Sequence, residues 1–463
     1  GFLRGWRSKE GCRIEDSGDG GRRLRVPGWP DRAIIDLDCG EEAPVVAARI
    51  LSGIPLGGVL PRTDFRVATT RGTNALLERK GAKVGFFVSE GFKDLLAIRD
   101  QRREELFELR QAPLMDLAWG RYEVKGRIGV CGESLVPLDE KGLRQAGRKA
   151  QADGCEVAVV ALMHSWLWSL QEERVREILK DEGFDRVVIS CEVAPLIRLL
   201  PRAETAVVDG YLSRIMRGFV KRVSEPFRDD EPKLMTSAGG LTAARRYQPK
   251  DSLLSGPAGG LIGAAALAKR AGFSKVLTFD MGGTSTDVAR IDGAFRYRHE
   301  QQIGPARVVA PALMIETVAA GGGSICRWRE GALEVGPESA GSDPGPACYG
   351  RGGPLCLTDV NLLLGLMEAD KAGIPLDPEA SRKALGALIN EMRDEGVMVD
   401  DSAELLEGLR AIALETMAEA VRSVSVREGV EVAGYVLLAF GGAGPQHACD
   451  LAERLGMTQV LIH

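Results

Sequence analysis

Histidine is scarce in this chain: four among 463 residues, at positions 164, 299, 447 and 463. They are too few and too dispersed to build a histidine-ligated metal cage. The nine cysteines form no CxxC pair and their number is odd. This argues against a zinc site or a disulfide framework and points to a reducing cytoplasm. Basic charge is not in excess. The formal net charge of -5 excludes a protein that coats nucleic acid by charge alone. No apolar run approaches the ~20 residues of a membrane helix, and VAVVALM (157–163) reads as a buried strand instead. No Ser-His-Asp order and no Cys-His pairing is legible, so hydrolysis by a side-chain nucleophile has no support. The chain opens on Gly1 rather than Met and closes on an apolar strand, QVLIH. It reads as a fragment cut at both ends, so the absence of a targeting signal excludes nothing.

What the chain has in abundance is glycine, 57 residues, well above the ~7% that is usual. The glycines cluster at 237–263, 282–283, 321–323, 341–353 and 441–444. Clusters of this kind between apolar strands mark tight turns and close approaches of the backbone. Length predicts two or three domains. Residues 1–60 are irregular and arginine-rich, with Pro-Gly-Trp-Pro at 27–30. From residue 66 the chain alternates: strand FRVATT, helix TNALLERKG, strand KVGFFVS, helix GFKDLLAIRD. Helix 139–152, strand VAVVALM, helix 170–183 and strand RVVISC follow, a pattern that predicts an open α/β sheet. Helices are expected over 196–228, from SGPAGG (255–260) onward within 250–272, and over 402–427, the last with Leu405, Leu409, Ile412, Ala420 and Val424 along one side.

The strongest constellation is VLTFDMGGTSTDV, 276–288. An apolar strand ends in Asp280, turns through Gly282 and Gly283, and continues through Thr284, Ser285 and Thr286 to Asp287. This composition describes a phosphate clamp. Glycines let backbone amides converge on an anion, hydroxyls add donors, and a carboxylate at the strand end can hold magnesium through water. A plain hairpin would not need three hydroxyls and two acids within eight residues. A second candidate is LAFGGAGPQHACDLAERLG (438–456), where Gly441, Gly442 and Gly444 precede a helix entered through Pro445. It serves either as a nucleotide site or as close helix–strand packing. His447, in the first turn of that helix, is an orienting or substrate-contacting candidate. The run Gly321, Gly322, Gly323 is costly in conformational entropy and must be required by something. It is a candidate cofactor contact, and with 335–353 it either borders the substrate pocket or braces a domain junction. In ATTRGTNALLERKG (68–81), Thr73 or Asn74 caps the helix, and Thr70 and Asn74 are equally candidates for substrate contact. His164, flanked by apolar residues, is expected to be a satisfied core histidine.

With these residues in view, the chain resembles the hydantoinase A / 5-oxoprolinase family. TTRGTNALLERKG (69–81), VALMHSWLW (160–168), SGPAGG (255–260), FDMGGTSTDV (279–288), ETVAAGGGS (316–324), LTDVNLLLG (357–365) and FGGAGPQHACDLAERLGM (440–457) resemble family blocks in family order, from about residue 40 to the end. The block HAC at 447–449 is most similar to 5-oxoprolinases. The resemblance implies an α/β protein with an actin-like, sugar-kinase-like ATPase fold of two RNase-H-like lobes. Residues 1–200 would be the remainder of the N-terminal lobe, its first phosphate loop missing, and 201–463 the core domain carrying the second. It further implies ATP and Mg²⁺ as cofactors, with Asp280 and Asp287 catalytic and Asp280 holding the metal. Gly282, Gly283, Thr284, Ser285, Thr286, Gly441, Gly442, Gly444 and Gly321–Gly323 would contact the nucleotide. The implied reaction opens a small cyclic amide by phosphorylating its oxygen. Its implied partner is a B-type hydantoinase/oxoprolinase domain or subunit within an oligomer, and residues 1–463 by themselves are expected to be inactive. A related hydantoinase or acetone- or acetophenone-carboxylase subunit, and a non-catalytic actin-like scaffold, are the alternatives. Three places depart from the family pattern: Met314 in LMIET, Ala238 in SAGG, and Arg71-Gly72.

Overall fold

Two apolar runs, VGFFVS at 84–89 and VAVVA at 157–161, offer nothing polar to either face before Ser89. Such strands are stable only where both faces are covered. The computed structural model describes residues 7–8, 37–101, 116–227, 230–304, 306–426 and 429–463. Cys12 and the Pro-Gly-Trp-Pro stretch at 27–30 lie outside the described residues, as does the side chain of Val424. The chain forms two compact units, Gly1–Gly256 with Arg298–Ala312, and Pro257–Tyr297 with Leu313–His463.

In the first unit the order is α1 (Ala43–Ser52), β1 (Arg66–Val67), α2 (Arg71–Leu77), β2 (Val84–Ser89), β3 (Ala118–Val124), α3 (Glu140–Ala152), β4 (Val157–Ala161), α4 (Leu170–Asp181), β5 (Val187–Ile189), α5 (Leu199–Ser224), β6 (Lys233–Met235) and β7 (Leu241–Ala243). Strands β3-β2-β4-β5 make a sheet in which every pair is parallel. Val84, Phe86 and Val88 join Val157, Val159 and Ala161 in one core with Ala203, Val207 and Leu212 of α5. Phe87, Ala158, Val160 and Ile189 turn the other way, to Leu143 of α3 and Val175, Ile178 and Leu179 of α4. The period-two alternation of a strand thus fills both layers from one apolar run.

Several predicted elements are shorter. FRVATT is a strand only at Arg66–Val67, and GFKDLLAIRD is helical only at Leu95–Ile98. Gly91 (φ +89°) and Arg99 (φ +51°) break the helical path on either side. Helix α2 starts at Arg71, earlier than a cap at Thr73 or Asn74 would allow. The reason is tertiary. Arg71 reaches the buried carboxylate of Glu42 at 2.5 Å, a group shared with Arg222 at 2.8 Å, and the Thr73 hydroxyl accepts the amide of Leu254 at 3.1 Å. Gly72 lies against Ser252, which accounts for the Arg71-Gly72 departure.

His164 is half-buried rather than a core histidine. Strand β4 ends at Ala161, and His164 stands in the turn that follows, at φ +60°. That turn is anchored from beneath by buried polar groups. Glu172 accepts the Leu162 amide (2.8 Å) and the Ser165 hydroxyl (2.7 Å), and Arg202 donates to Ser165 Oγ (2.6 Å). Burial lowers the pKa of the Arg202 guanidinium.

The second unit contains α6 (Ser255–Arg270), whose first two residues belong to the first unit, then β8 (Lys275–Met281), β9 (Thr286–Asp292), β10 (Glu316–Val318), β11 (Ser324–Arg329), β12 (Ala332–Ser339), α7 (Leu357–Leu363), α8 (Pro378–Asp394), α9 (Ser402–Val426), β13 (Val436–Phe440), α10 (Gly444–Arg454) and β14 (Val460–Ile462). Its sheet runs β10-β9-β8-β13-β14, antiparallel as far as β8 and parallel from there on. Leu277, Phe279 and Met281 of β8 share a core with Leu405, Leu409, Ala413, Met417 and Val421 of α9. The buried stripe of α9 advances by four residues and leaves Ile412 half-buried, a small correction to the expected face.

A Cβ at Gly72 would stand 1.9 Å from Ser252 Oγ, whose side chain is fully buried. Gly72→Ala is therefore expected to lower unfolding stability by about 1–3 kcal/mol in chemical denaturation, with partial recovery when Ser252→Ala is added.

Candidate functional site

The β8–β9 hairpin places Asp280 directly opposite Asp287 and Met281 opposite Thr286. Residues 282–285 close the turn, with the Gly282 amide donating to the Ser285 carbonyl at 3.0 Å. The carbonyls of Gly282 and Gly283 are taken up from one side, by the amides of Gly322 (3.0 Å) and Gly323 (2.7 Å). Among the described residues no acceptor takes the amides of Gly283, Thr284 or Ser285. Three consecutive N–H groups are thus left free where Gly283 and Thr284 are exposed, the arrangement that binds an anion by its backbone.

Thr286 does not take part as expected. Its side chain is buried and its hydroxyl donates to the Ala320 carbonyl at 2.5 Å, because strand alternation turns it to the face opposite Asp287. The run Gly321–Gly323 also differs from a set of ligand donors. Its three amides are committed, to Ser324 Oγ, Gly282 O and Gly283 O. The run is required by close approach. A Cβ at Gly321 would lie 2.6 Å from the Gly283 carbonyl oxygen and 2.7 Å from the Thr284 nitrogen. These glycines support the 282–285 turn from behind.

Asp280 lies at the end of β8 beside Phe440, the last residue of β13. Two glycines make room for its carboxylate. A Cβ at Gly441 would stand 2.5 Å from Oδ1, and one at Gly260 3.3 Å from Oδ2. Burial first, and then the facing Asp287, push its pKa up to about 6. Burial also raises that of Asp287, against a hydrogen bond from Thr317. Like charges directly opposite in a sheet repel. Two half-buried carboxylates with no basic partner among the described residues are a donor set that fits a hard divalent cation retaining some of its water.

In the second glycine loop, Gly441 (φ +81°) and Gly444 pack against β8, while Gly442 meets nothing within 4 Å. The Ala443 amide donates to Met281 O at 3.0 Å, which ties this loop to the end of β8. Helix α10 then starts at Gly444, with Pro445 in its first turn. His447 is fully buried, its Nε2 3.1 Å from Asn361 Nδ2, and burial lowers its pKa to about 4. It is therefore neutral at physiological pH, and its side-chain partner among the described residues is Asn361 of α7 rather than the loop.

Helix α7 carries the residues that motif reading missed. Thr358 donates by its amide and its hydroxyl to Gly322 O, each at 2.7 Å. Asn361 holds Gln446 Oε1 at 2.8 Å, and Gln446 reaches Gly442 O at 3.4 Å. Between them the buried Asp359 accepts the amides of Ala347, Cys348 and Cys356 and the Ser381 hydroxyl. One short helix therefore supports both glycine loops. The signal was three polar residues, Thr358, Asp359 and Asn361, set in an otherwise apolar LTDVNLL.

Thr70 and Asn74 belong to the first unit, where both are exposed and neither side chain is hydrogen-bonded among the described residues. Met314 is half-buried, its amide donating to Arg296 O at 2.9 Å. Nothing in the structure explains the alanine at 238.

Comparison with known proteins agrees with this fold. Acetone carboxylase, solved nucleotide-free in work on ATP-dependent acetone carboxylation, superposes with a TM-score of 0.73 at 25% identity, covering 85% of this chain and 59% of the other. The ATP-dependent caprolactamase of Pseudomonas jessenii gives 0.71 at 27% identity, covering 93% and 65%. The fold is thus α/β, of the actin-like ATPase class. The Hydantoinase/oxoprolinase family model matches residues 202–463, and the Hydantoinase/oxoprolinase N-terminal region matches 63–183; the chain belongs to the hydantoinase/oxoprolinase family. The 5-oxoprolinase 1 of Arabidopsis thaliana is 36% identical over 95% of this chain, which spans 39% of that protein's length. No helix among the described residues is long and apolar enough to cross a membrane.

Two outcomes follow from the loop geometry. Gly321→Ala forces its methyl into the 283–284 backbone and is expected to cost about 1–3 kcal/mol of stability in chemical denaturation. Asp280, whose folded pKa of about 6 exceeds the ordinary 3.8, contributes stability at low pH that is lost as pH rises through about 6. Asp280→Asn removes that loss, so in chelator the variant should be about 1–2 kcal/mol more stable than the parent near neutral pH and equal to it near pH 4.

Proposed function

We propose that this chain is the ATP-binding part of an enzyme that opens a cyclic amide of the 5-oxoproline type by phosphorylating the amide oxygen. The observation that carries the reading is the 283–285 turn, three free amides beside two facing carboxylates. In this reading the amides of Gly283, Thr284 and Ser285, with the Thr284 and Ser285 hydroxyls, hold the terminal phosphates. Asp280, with Asp287, holds magnesium through water. ATP supplies the phosphoryl group. Its transfer to the amide oxygen turns a poor electrophile into an activated imidate. One water adds to the ring carbon and the C–N bond breaks to give the amine and an acyl phosphate, which a second water hydrolyses to the carboxylate and free phosphate. Such chemistry depends on placing charge rather than on a strong nucleophile, in keeping with a sequence in which no Ser-His-Asp order or Cys-His pairing is legible. Thr70 and Asn74 are assigned to the cyclic amide and His447 to orientation of the second loop. The B-type component is assigned to a further domain or subunit. The Arabidopsis 5-oxoprolinase, similar over nearly all of this chain, supports the choice of substrate class. The likeness to acetone carboxylase favours one second reading, the ATP-hydrolysing subunit of a carboxylase.

Phosphate release by the protein assembled with its B-type component distinguishes them. Stimulation by 5-oxoproline, and loss of at least about a hundredfold in turnover with Asp280→Ala at unchanged fold, are expected. Stimulation by acetone plus bicarbonate alone would select the carboxylase reading, and an Asp280→Ala variant as active as the parent would remove the phosphate assignment.

A further inference from the structure

The first unit contains a second place built for negative charge, one the glycine loops do not use. Strand β5 is the last strand of its sheet, and Val187, Val188 and Ile189 line a cavity of about 440 Å³ beside it. Helix α4 lines it with Arg176 and Lys180, α5 with Asp209 and Arg217, and the segment after β7 with Arg245 and Arg246. The volume is that of a small-molecule site.

The charges in it are not balanced. Six cationic side chains face three carboxylates, those of Asp185, Glu192 and Asp209. Three of the cations are matched: Arg176 by Glu192 at 2.6 Å, Arg186 by the buried Asp209 at 3.4 Å, and Arg245 by Glu231 at 2.6 Å. Lys180, Arg217 and Arg246 have no carboxylate partner among the described residues. Basic residues along an end strand also serve to deter a foreign strand from pairing there. A fringe of that kind needs neither a concave floor nor convergence from four separate elements. Guanidinium groups arriving from different elements on one hollow form the multidentate set that grips phosphate or carboxylate oxygens.

We infer that this cavity binds a compact anion carrying two or more negative charges, on phosphate or carboxylate groups, with Lys180, Arg217 and Arg246 as its principal contacts. The site lies wholly within the first unit and is independent of the function proposed for the 283–285 turn.

Isothermal titration of the whole chain with pyrophosphate and, separately, with citrate tests it. At least one probe is expected to bind, and Arg217→Glu and Arg246→Glu should each weaken that binding about tenfold or more. Arg62→Glu, an equal change of charge outside the cavity, should leave it unchanged. Thermal melting of each variant verifies the fold, which exposed positions should not disturb. The probe that binds more tightly identifies the anionic group of the ligand. Failure of both probes to bind the parent chain, binding that Arg217→Glu and Arg246→Glu leave intact, or equal weakening by Arg62→Glu would overturn the inference.

Discussion

The second unit depends on a contact between two pieces of backbone. Gly322 and Gly323 donate to the carbonyls of Gly282 and Gly283, and Gly321 lies so close to that turn that no side chain can be placed there. A four-residue hairpin turn has few conformations in which three consecutive amides escape internal partners. Drawing the carbonyls to one side selects such a conformation, because each peptide plane fixes the N–H opposite its C=O. The outward amides of Gly283 and Thr284 are therefore a consequence of where Gly322 and Gly323 sit. The Thr286 hydroxyl adds to the clamp by holding Ala320, the residue just before the run.

The same dependence explains which parts of the site were legible in the sequence. Asp280, Gly282, Gly283 and Asp287 stand in one short stretch, and their chemistry follows from spacing alone. The role of Gly321–Gly323 was not readable, since a glycine needed to approach a ligand and one needed to approach another loop leave the same mark. The contribution of α7 was hidden for another reason. Thr358 and Asn361 act on loops 36 and 85 residues away in sequence, at Gly322 and Gln446, and local pattern carries no information about that distance. Thr286 was misassigned because counting hydroxyls ignores strand alternation. His164 was misplaced because its apolar neighbours suggested a strand that ends at Ala161.

The fold was more readable than the site. Runs such as VAVVA and VLLAF, with helices of regular apolar spacing between them, are enough to indicate covered sheets. What failed were boundaries set by tertiary partners, as at α2, where Glu42 and Ser252 decide the start of the helix, and at Leu95–Ile98, where two positive-φ residues cut it short. The two carboxylates of the site are maintained at a cost in stability, since burial and mutual repulsion both oppose their ionisation.

The outward edge of the 282–285 turn is fixed by bonds internal to the second unit. Glycine-rich loops are usually mobile in the free state and lose that freedom when something binds. Here Thr358, Gly322 and Gly323 hold the turn as part of the fold, so in the proposed phosphate-binding role its donors would be aimed before contact and little affinity would be spent on ordering them.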